Sequence, residues 1–423
     1  MGGQLLALGA APALTRLYSP ADFGIFTIIS GVTLAVASSS ALRFELAVPV
    51  PAEERDAHSL VALGLIAASL TAVIGTVVVA LAGQTMSKRF NQPDLMPWLW
   101  LVPITAAVMG AYLVLNQLAV RNQRYTAIGR RNLFQTTVLV LTQLGAGAVG
   151  FRPGGLVLGL GLGQVAGAVS LLWGSGLRSE PARAGRRPQQ LWVALKRYRR
   201  FPLLLTPSGL LNVLGLQVPV LIIALHYGDV TAGWLGLSQR VLALPLALVG
   251  AAAAQVYLGE FVRATRAGVG DATRLFASAS RRLALVGLLV ATVLLTAGPW
   301  LFSVVFGPVW LVSGEYARAL SIGLAAQLVA APLSQTLSAL ERQHLQLAWD
   351  IGRLVIVAGV TGLCALADMP AITTVWCFGL ASALTYGGSW LLCRHAVRKG
   401  RLAPGQVLEG LSEAGPADFR PLP

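Results

Sequence analysis

Apolar residues run along this chain in continuous blocks of about 20, separated by short polar stretches, and do not alternate with polar ones. An α-helix needs a block of that length to cross a ~30 Å hydrocarbon core, whereas a transmembrane strand needs only ~10 residues with every second one apolar. The pattern predicts twelve helical spans, at about 3–16, 22–41, 59–82, 98–120, 132–150, 154–177, 203–225, 232–256, 283–305, 316–338, 348–367 and 371–393. The first is short. About 13 residues, Gly3 to Thr15, precede Arg16 and cover only ~20 Å, so the helix reads as incomplete or as one whose start lies upstream. The basic stretch that opens a secretory signal is missing there.

The longest polar segment, 178–200, divides the spans six and six. The expected fold is therefore an all-α integral membrane protein with two six-helix lobes around a central cavity. One lobe covers 1–177 and the other 201–393, joined by a basic linker over 178–200 and followed by a Pro/Gly-rich, disordered tail over 394–423. The halves echo each other faintly. Tyr18 to Gly24 precedes the second span, and Tyr227 to Gly233 precedes the eighth at an offset of 209. Six spans per half give both repeats the same orientation, as in transporters built from parallel repeats around a cleft.

Composition sharpens the class. The chain is 55% hydrophobic and 12% charged, about half the ~25% charge of a soluble protein. Its net charge of +15 is placed by loop, which argues against nucleic acid. Loops after even-numbered spans, with the tail, hold 25 of the 32 Lys+Arg, and loops after odd-numbered spans hold four: Arg16, Lys88, Arg89 and Arg152. The positive-inside rule then puts both termini on the cytoplasmic side, with the cluster from Lys196 to Arg200 lying on anionic membrane lipids. Cys364, Cys377 and Cys393 lie in apolar segments without ligand spacing, and the four histidines are scattered, so neither a metal nor a disulfide framework is indicated. P-loop, nucleophile-elbow and paired-carboxylate motifs are all missing, so neither enzyme chemistry nor a cofactor is expected. Gly155, Gly159, Gly163 and Gly167 recur every four residues and predict a close helix–helix contact.

The candidate chemistry is ionisable and amide groups within or bordering spans. A cation at mid-membrane costs at least ~2.5–3.5 kcal/mol, so it faces a wet cavity or a partner. Arg240 stands about 13 Å into the eighth span, as a cavity wall or as a structurally paired charge. Arg16 either snorkels outward or lines a cavity; Arg43 and Glu45 form either a cytoplasmic rim or part of the same cavity. Asp350 and Arg353, at i and i+3, are placed to neutralise one another. Asn212, Gln217 and Gln239 fit either sugar hydroxyls or helix–helix bonds, and Pro207 and Pro219 give the seventh span the means to bend.

Several segments together resemble one family. Thr15-Arg16-Leu17-Tyr18-Ser19-Pro20-Ala21-Asp22-Phe23-Gly24 resembles the first-loop signature of bacterial polysaccharide (O-antigen-type) flippases. Leu42-Arg43-Phe44-Glu45-Leu46-Ala47 with Pro49, the stretch from Asn116-Gln117 to Arg121-Asn122-Gln123-Arg124-Tyr125, and Phe201-Pro202 through Thr206-Pro207-Ser208 to Gln239-Arg240-Val241 and Pro245 resemble later parts of that pattern. The resemblance, over about residues 10–390, implies membership of the multidrug/oligosaccharidyl-lipid/polysaccharide exporter superfamily. It implies a flippase of the bacterial inner membrane that moves undecaprenyl-diphosphate-linked oligosaccharide by alternating access. Membrane lipids and polysaccharide assembly proteins would be its partners, with a coupling ion (H+ or Na+), the membrane potential or product consumption as the driving force. Arg16, Arg43 and Arg240 match basic positions of that pattern and would line its substrate cavity; Glu45, Asn212, Gln217, Gln239 and Arg353 are cavity candidates by their own positions within or beside the spans. The alternatives are a multidrug/cation antiporter of the same superfamily, which calls for intramembrane carboxylates, and a membrane-embedded polysaccharide polymerase or ligase, which calls for a large external loop.

Overall fold

Ser19-Pro20-Ala21-Asp22 is a helix start. The Ser19 hydroxyl accepts the Asp22 backbone N–H at 3.2 Å, the Asp22 carboxylate accepts the Ser19 N–H at 2.8 Å, and Pro20 supplies a pre-set φ at the first helical position. Such signals, together with apolar blocks, fix the helices of a computed structural model that describes residues 2–90, 92–173, 175, 180–340 and 342–399. The first half comprises α1 (Gly2–Gly9), α2 (Ala11–Leu17), α3 (Pro20–Ser40), α4 (Phe44–Ala47), α5 (Glu54–Arg89), α6 (Met96–Leu99), α7 (Leu101–Arg121), α8 (Tyr125–Ala148) and α9 (Gly154–Leu172). Two short helices, α10 (Glu180–Gly185) and α11 (Pro188–Arg197), occupy the expected linker. The second half comprises α12 (Thr206–Pro245), α13 (Ala251–Ala267), α14 (Val269–Phe306), α15 (Leu311–Leu333), α16 (Gln335–Ala339), α17 (Gln343–Leu366) and α18 (Ala371–Lys399).

The protein is an all-α membrane protein: among the described residues there is no strand, and nine helical stretches are long and apolar enough to cross a bilayer. One of them, Phe201–Thr265, has 65 residues and would measure about 98 Å if straight. It is not straight. Gly228, at φ 84° and ψ 179°, breaks α12 into two arms, and Gly215 and Gln217 of one arm share a cavity wall with Gln239 and Leu242 of the other. The arms therefore form a hairpin, the seventh and eighth predicted spans. Helix stands at each of the twelve predicted places, with α1, α2 and α8 falling short of the crossing criterion.

Helix ends differ from expectation where polar sequence simply continues the helical hydrogen bonding. Helix α5 runs 36 residues, and α18 carries residues 394–399, expected in the disordered tail, as regular helix; residues 400–423 lie outside the described residues. The linker helices lie on α5, where the Ser59 hydroxyl donates to the Gly185 carbonyl at 2.9 Å and Arg197 pairs with Asp56 at 3.3 Å. The glycine stripe of α9 does meet another helix. Side chains built at Gly155, Gly159, Gly163 and Gly167 would collide with Tyr18 and with Gln143, Leu139 and Arg131 of α8.

The two halves join through α3 and the α12 hairpin. A side chain on Gly24 would strike the Asp229 carbonyl, and one on Gly233 would strike the Pro20 carbonyl. At the offset of 209 these two contacts are images of one another, the reciprocity expected of a two-fold seam. Around it, Phe23 meets Trp310 edge to face at 5.0 Å, and the buried Trp310 indole donates to the Thr15 carbonyl at 3.1 Å. The halves are thus closed together at the end away from the basic loops.

Candidate functional site

The sequence-predicted residues gather in three places. The first is built on α17. Asp350 and Arg353 face α12 one turn apart, 3.7 Å from Oδ1 to Nη2, with both side chains buried. The Asn212 amide donates to Asp350 Oδ1 at 3.0 Å, and the Gln346 amide reaches Oδ2 at 3.5 Å. Arg353 donates to the Asn212 carbonyl at 2.7 Å and to the Tyr386 hydroxyl at 3.1 Å, and its guanidinium lies 4.8 Å from the Trp349 ring centroid. A buried ion pair persists when hydrogen bonds fill its remaining lone pairs, as these amides do. Arg353 also borders a 280 Å³ cavity with Gln217, Gln239, Gln327 and Tyr386, and a 170 Å³ cavity with Asn212 and Gln346. Four of the predicted residues, Asn212, Gln217, Gln239 and Arg353, therefore form one polar cluster in the second half.

The second place is Arg240. Successive residues of a helix point about 100° apart, so Gln239 faces the polar cluster while Arg240 faces the other half of the molecule. It lines a 160 Å³ cavity whose opposite wall is Gln4, Ala7 and Leu8 of α1. Its guanidinium carbon is 6.0 Å from the Phe26 ring centroid, and its Nη1 has no hydrogen-bond partner among the described residues. An arginine with free donors in a cavity between two halves is arranged to receive an anion.

The third place is the turn after α3. Arg43, at φ 57°, and Leu42, at φ 49°, occupy the left-handed region that non-glycine residues rarely adopt. The Arg43 side chain lies against Gly209, where any larger residue would meet it, and its Nη1 is 3.6 Å from Glu45 Oε1. Glu45 is buried, its Oε2 has no hydrogen-bond partner among the described residues, and burial pushes its carboxyl above the usual range, with the Arg43 guanidinium opposing in part. The turn is clamped from outside by Arg121, whose guanidinium donates to the carbonyls of Val48, Pro49, Pro51 and Ala52. Two of the segments that carry the sequence resemblance thus hold each other in shape.

Arg16 stands apart. It is exposed in the last turn of α2, and the 21 residues of α3, about 31 Å, separate its end of the bundle from Arg43. Neither Arg16 nor Arg43 is among the residues lining the Arg240 cavity, and the length of α3 sets Arg16 and Arg43 at opposite ends of the bundle. Several residues of the clusters were not foreseen. Tyr386 and Trp349 looked like ordinary apolar-span aromatics, while Gln327 carried the same signal as Asn212, an amide inside an apolar block. Arg131, placed in a loop by the apolar pattern, is buried in α8 with its guanidinium 3.3 Å from the Tyr112 ring centroid.

A sequence profile of the family described as polysaccharide biosynthesis protein matches residues 13–315, well over half of the chain. Comparison with curated proteins by sequence gives no match. Solved structures with the same fold include the lipid II flippase MurJ in an inward closed conformation, with a TM-score of 0.71 at 11% identity over 98% of this chain and 92% of that one. They also include the Vibrio cholerae MATE transporter VcmN, at 0.64 and 14% identity over 95% of each chain. A MOP superfamily transporter from Pyrococcus furiosus aligns at 0.55 and 13% identity over 94% of this chain and 92% of that one. At these identities the likeness is one of fold.

Proposed function

The chain belongs to the polysaccharide biosynthesis protein family, and on that premise we propose that it is a flippase for a polyprenyl-diphosphate-linked oligosaccharide. The observation that carries this reading is Arg240: a guanidinium with an unpartnered Nη1 in a cavity between the two halves of the molecule. A diphosphate does not cross hydrocarbon unaided, and an arginine offers bidentate donors to its oxygens at a depth where water is scarce. The amides Asn212, Gln217, Gln239 and Gln327 around the neighbouring cavities are hydrogen-bonding groups of the kind sugar hydroxyls need. The polyprenyl chain stays in lipid while the headgroup passes between the halves, which rock about the α3–α12 seam. The chain sits in the bacterial inner membrane with both termini cytoplasmic, a reading supported by 25 basic residues in one set of loops and the tail against four in the other. That orientation puts the closed Gly24–Gly233 end on the outer side.

A cation exporter is the weaker reading. It calls for a carboxylate free to take up a cation inside the bundle, and Asp350 is instead held by Arg353 and Asn212. The test is complementation of a strain that lacks its oligosaccharide flippase. Arg240→Ala is expected to cut surface glycan by roughly tenfold, the worth of one charge-assisted contact, at unchanged protein level. Full surface glycan with Arg240→Ala would refute the reading.

A further inference from the structure

The second half carries a groove that the proposed route between the halves does not use. It lies between α17 and α18, has a volume of about 790 Å³, and extends from Ile356 and Leu384 to Arg394, His395 and Arg398. Along α18, Leu384 to Arg398 is about 21 Å at 1.5 Å per residue. Half of a ~30 Å hydrocarbon core is about 15 Å, and the headgroup region adds about 6 Å on each side. The groove has the depth of one leaflet.

Its form follows from two glycines. Gly352 on α17 and Gly388 on α18 both line it, and a Cβ built on either would meet nothing within 4 Å. Ile356, Leu384 and Leu391 are exposed along it, so its long wall is apolar and open to the surroundings. The far end is cationic. The Arg394 guanidinium lies 5.3 Å from the Trp390 ring centroid, and Trp390 is itself fixed by its indole N–H to the Ser280 hydroxyl at 2.9 Å. Arg398 stands in the last turn of α18, where the helix dipole also favours a cation. Among the described residues, none that lines the groove is acidic. An apolar wall one leaflet deep, ending in Arg394, His395 and Arg398, is complementary to an acyl chain beneath an anionic phosphate.

We propose that this groove holds one anionic phospholipid of the leaflet in which α18 ends, a resident lipid distinct from the transported one. The assignment is independent of the flippase reading. Arg353 lines this groove on one side and the amide-rich cavity on the other, so the lipid packs against the back of the polar cluster.

The test is native mass spectrometry of the purified full chain in micelles containing equal amounts of phosphatidylglycerol and phosphatidylcholine of the same chain length. The wild type is expected to retain a single phosphatidylglycerol. Arg394→Gln with Arg398→Gln is expected to reduce that headgroup preference about thirtyfold, as two basic residues at an anionic lipid surface allow. Gly388→Trp, or Gly352→Leu if the former folds poorly, fills the groove and is expected to abolish retention of both lipids. No retained lipid in the wild type, equal retention of the two headgroups, or unchanged retention in the groove-filling variant would each overturn the proposal. Displacement of the phospholipid by equimolar polyprenyl phosphate would also overturn it, by giving the groove to a substrate tail.

Discussion

Arg353 is tied to its surroundings by four different groups, which makes its removal more costly than its charge alone implies. Arg353→Ala leaves Asp350 buried beside Asn212 without its counter-ion, and losing one partner of a buried pair costs about 3–5 kcal/mol. Thermal unfolding in micelles is expected to show that loss, and to show a much smaller one when Asp350→Asn accompanies Arg353→Gln. Equal losses in the two variants would mean the pair does not act as a unit. Glu45 gives a pH signature. Burial raises its carboxyl in the folded protein, so the folded state holds the proton more tightly than the unfolded chain. Its contribution to stability is complete below the usual carboxylate range and is lost as pH rises through the raised value; a Glu45→Gln variant is expected to flatten that part of the stability–pH curve. The pairing of Asp350 with Arg353 was legible from their i, i+3 spacing, because helix geometry alone decides it. The depth of Arg131 was not, since only the packing of α8 on Tyr112 and Gly167 buries it.

At the scale of elements, the α12 hairpin carries the junction between the halves, and the devices that let it bend sit at its ends. Wider π turns occupy 201–205 and 246–250, the second immediately after Pro245, and Pro219 stands inside the first arm without breaking its helix. The prolines were visible in sequence. The π turns were not, because the apolar pattern is the same whichever carbonyl each N–H chooses. The close approach at Gly233 has a direct consequence. Gly233→Val drives a branched side chain into the Pro20 carbonyl, an overpacking expected to cost about 1–3 kcal/mol and to part the seam. In a cysteine-free background, a thiol introduced at the buried Thr15 position is expected to resist labelling in the parent and to label in the Gly233→Val variant. Continued protection would show that the seam tolerates the side chain.

At the scale of the whole molecule, the chain is two helical halves that meet in a reciprocal contact at Gly24 and Gly233 and again where Arg43 lies against Gly209, with Arg240 in a cavity between them. The spans and the loop asymmetry could be read from sequence because solvation by lipid imposes them segment by segment. The faint echo between Tyr18–Gly24 and Tyr227–Gly233 marks the seam itself, where both copies must be small to let helices touch. What sequence did not carry was which polar residues share a wall. Arg16, Arg43 and Arg240 look alike in a list of basic residues, yet α3 keeps Arg16 at the far end from Arg43 and Arg240 alone faces α1. The claim that unites these observations is that the halves pass an anionic lipid-linked headgroup past Arg240. The most direct measurement uses liposomes loaded with a fluorescent polyprenyl-diphosphate oligosaccharide and an impermeant quencher that reaches only the outer leaflet. With the wild-type protein, quenching is expected to proceed from the outer-leaflet share to nearly the whole population, and Arg240→Ala is expected to slow the second phase by roughly tenfold or more. Quenching that stops at the outer-leaflet share, as in protein-free liposomes, would contradict the account.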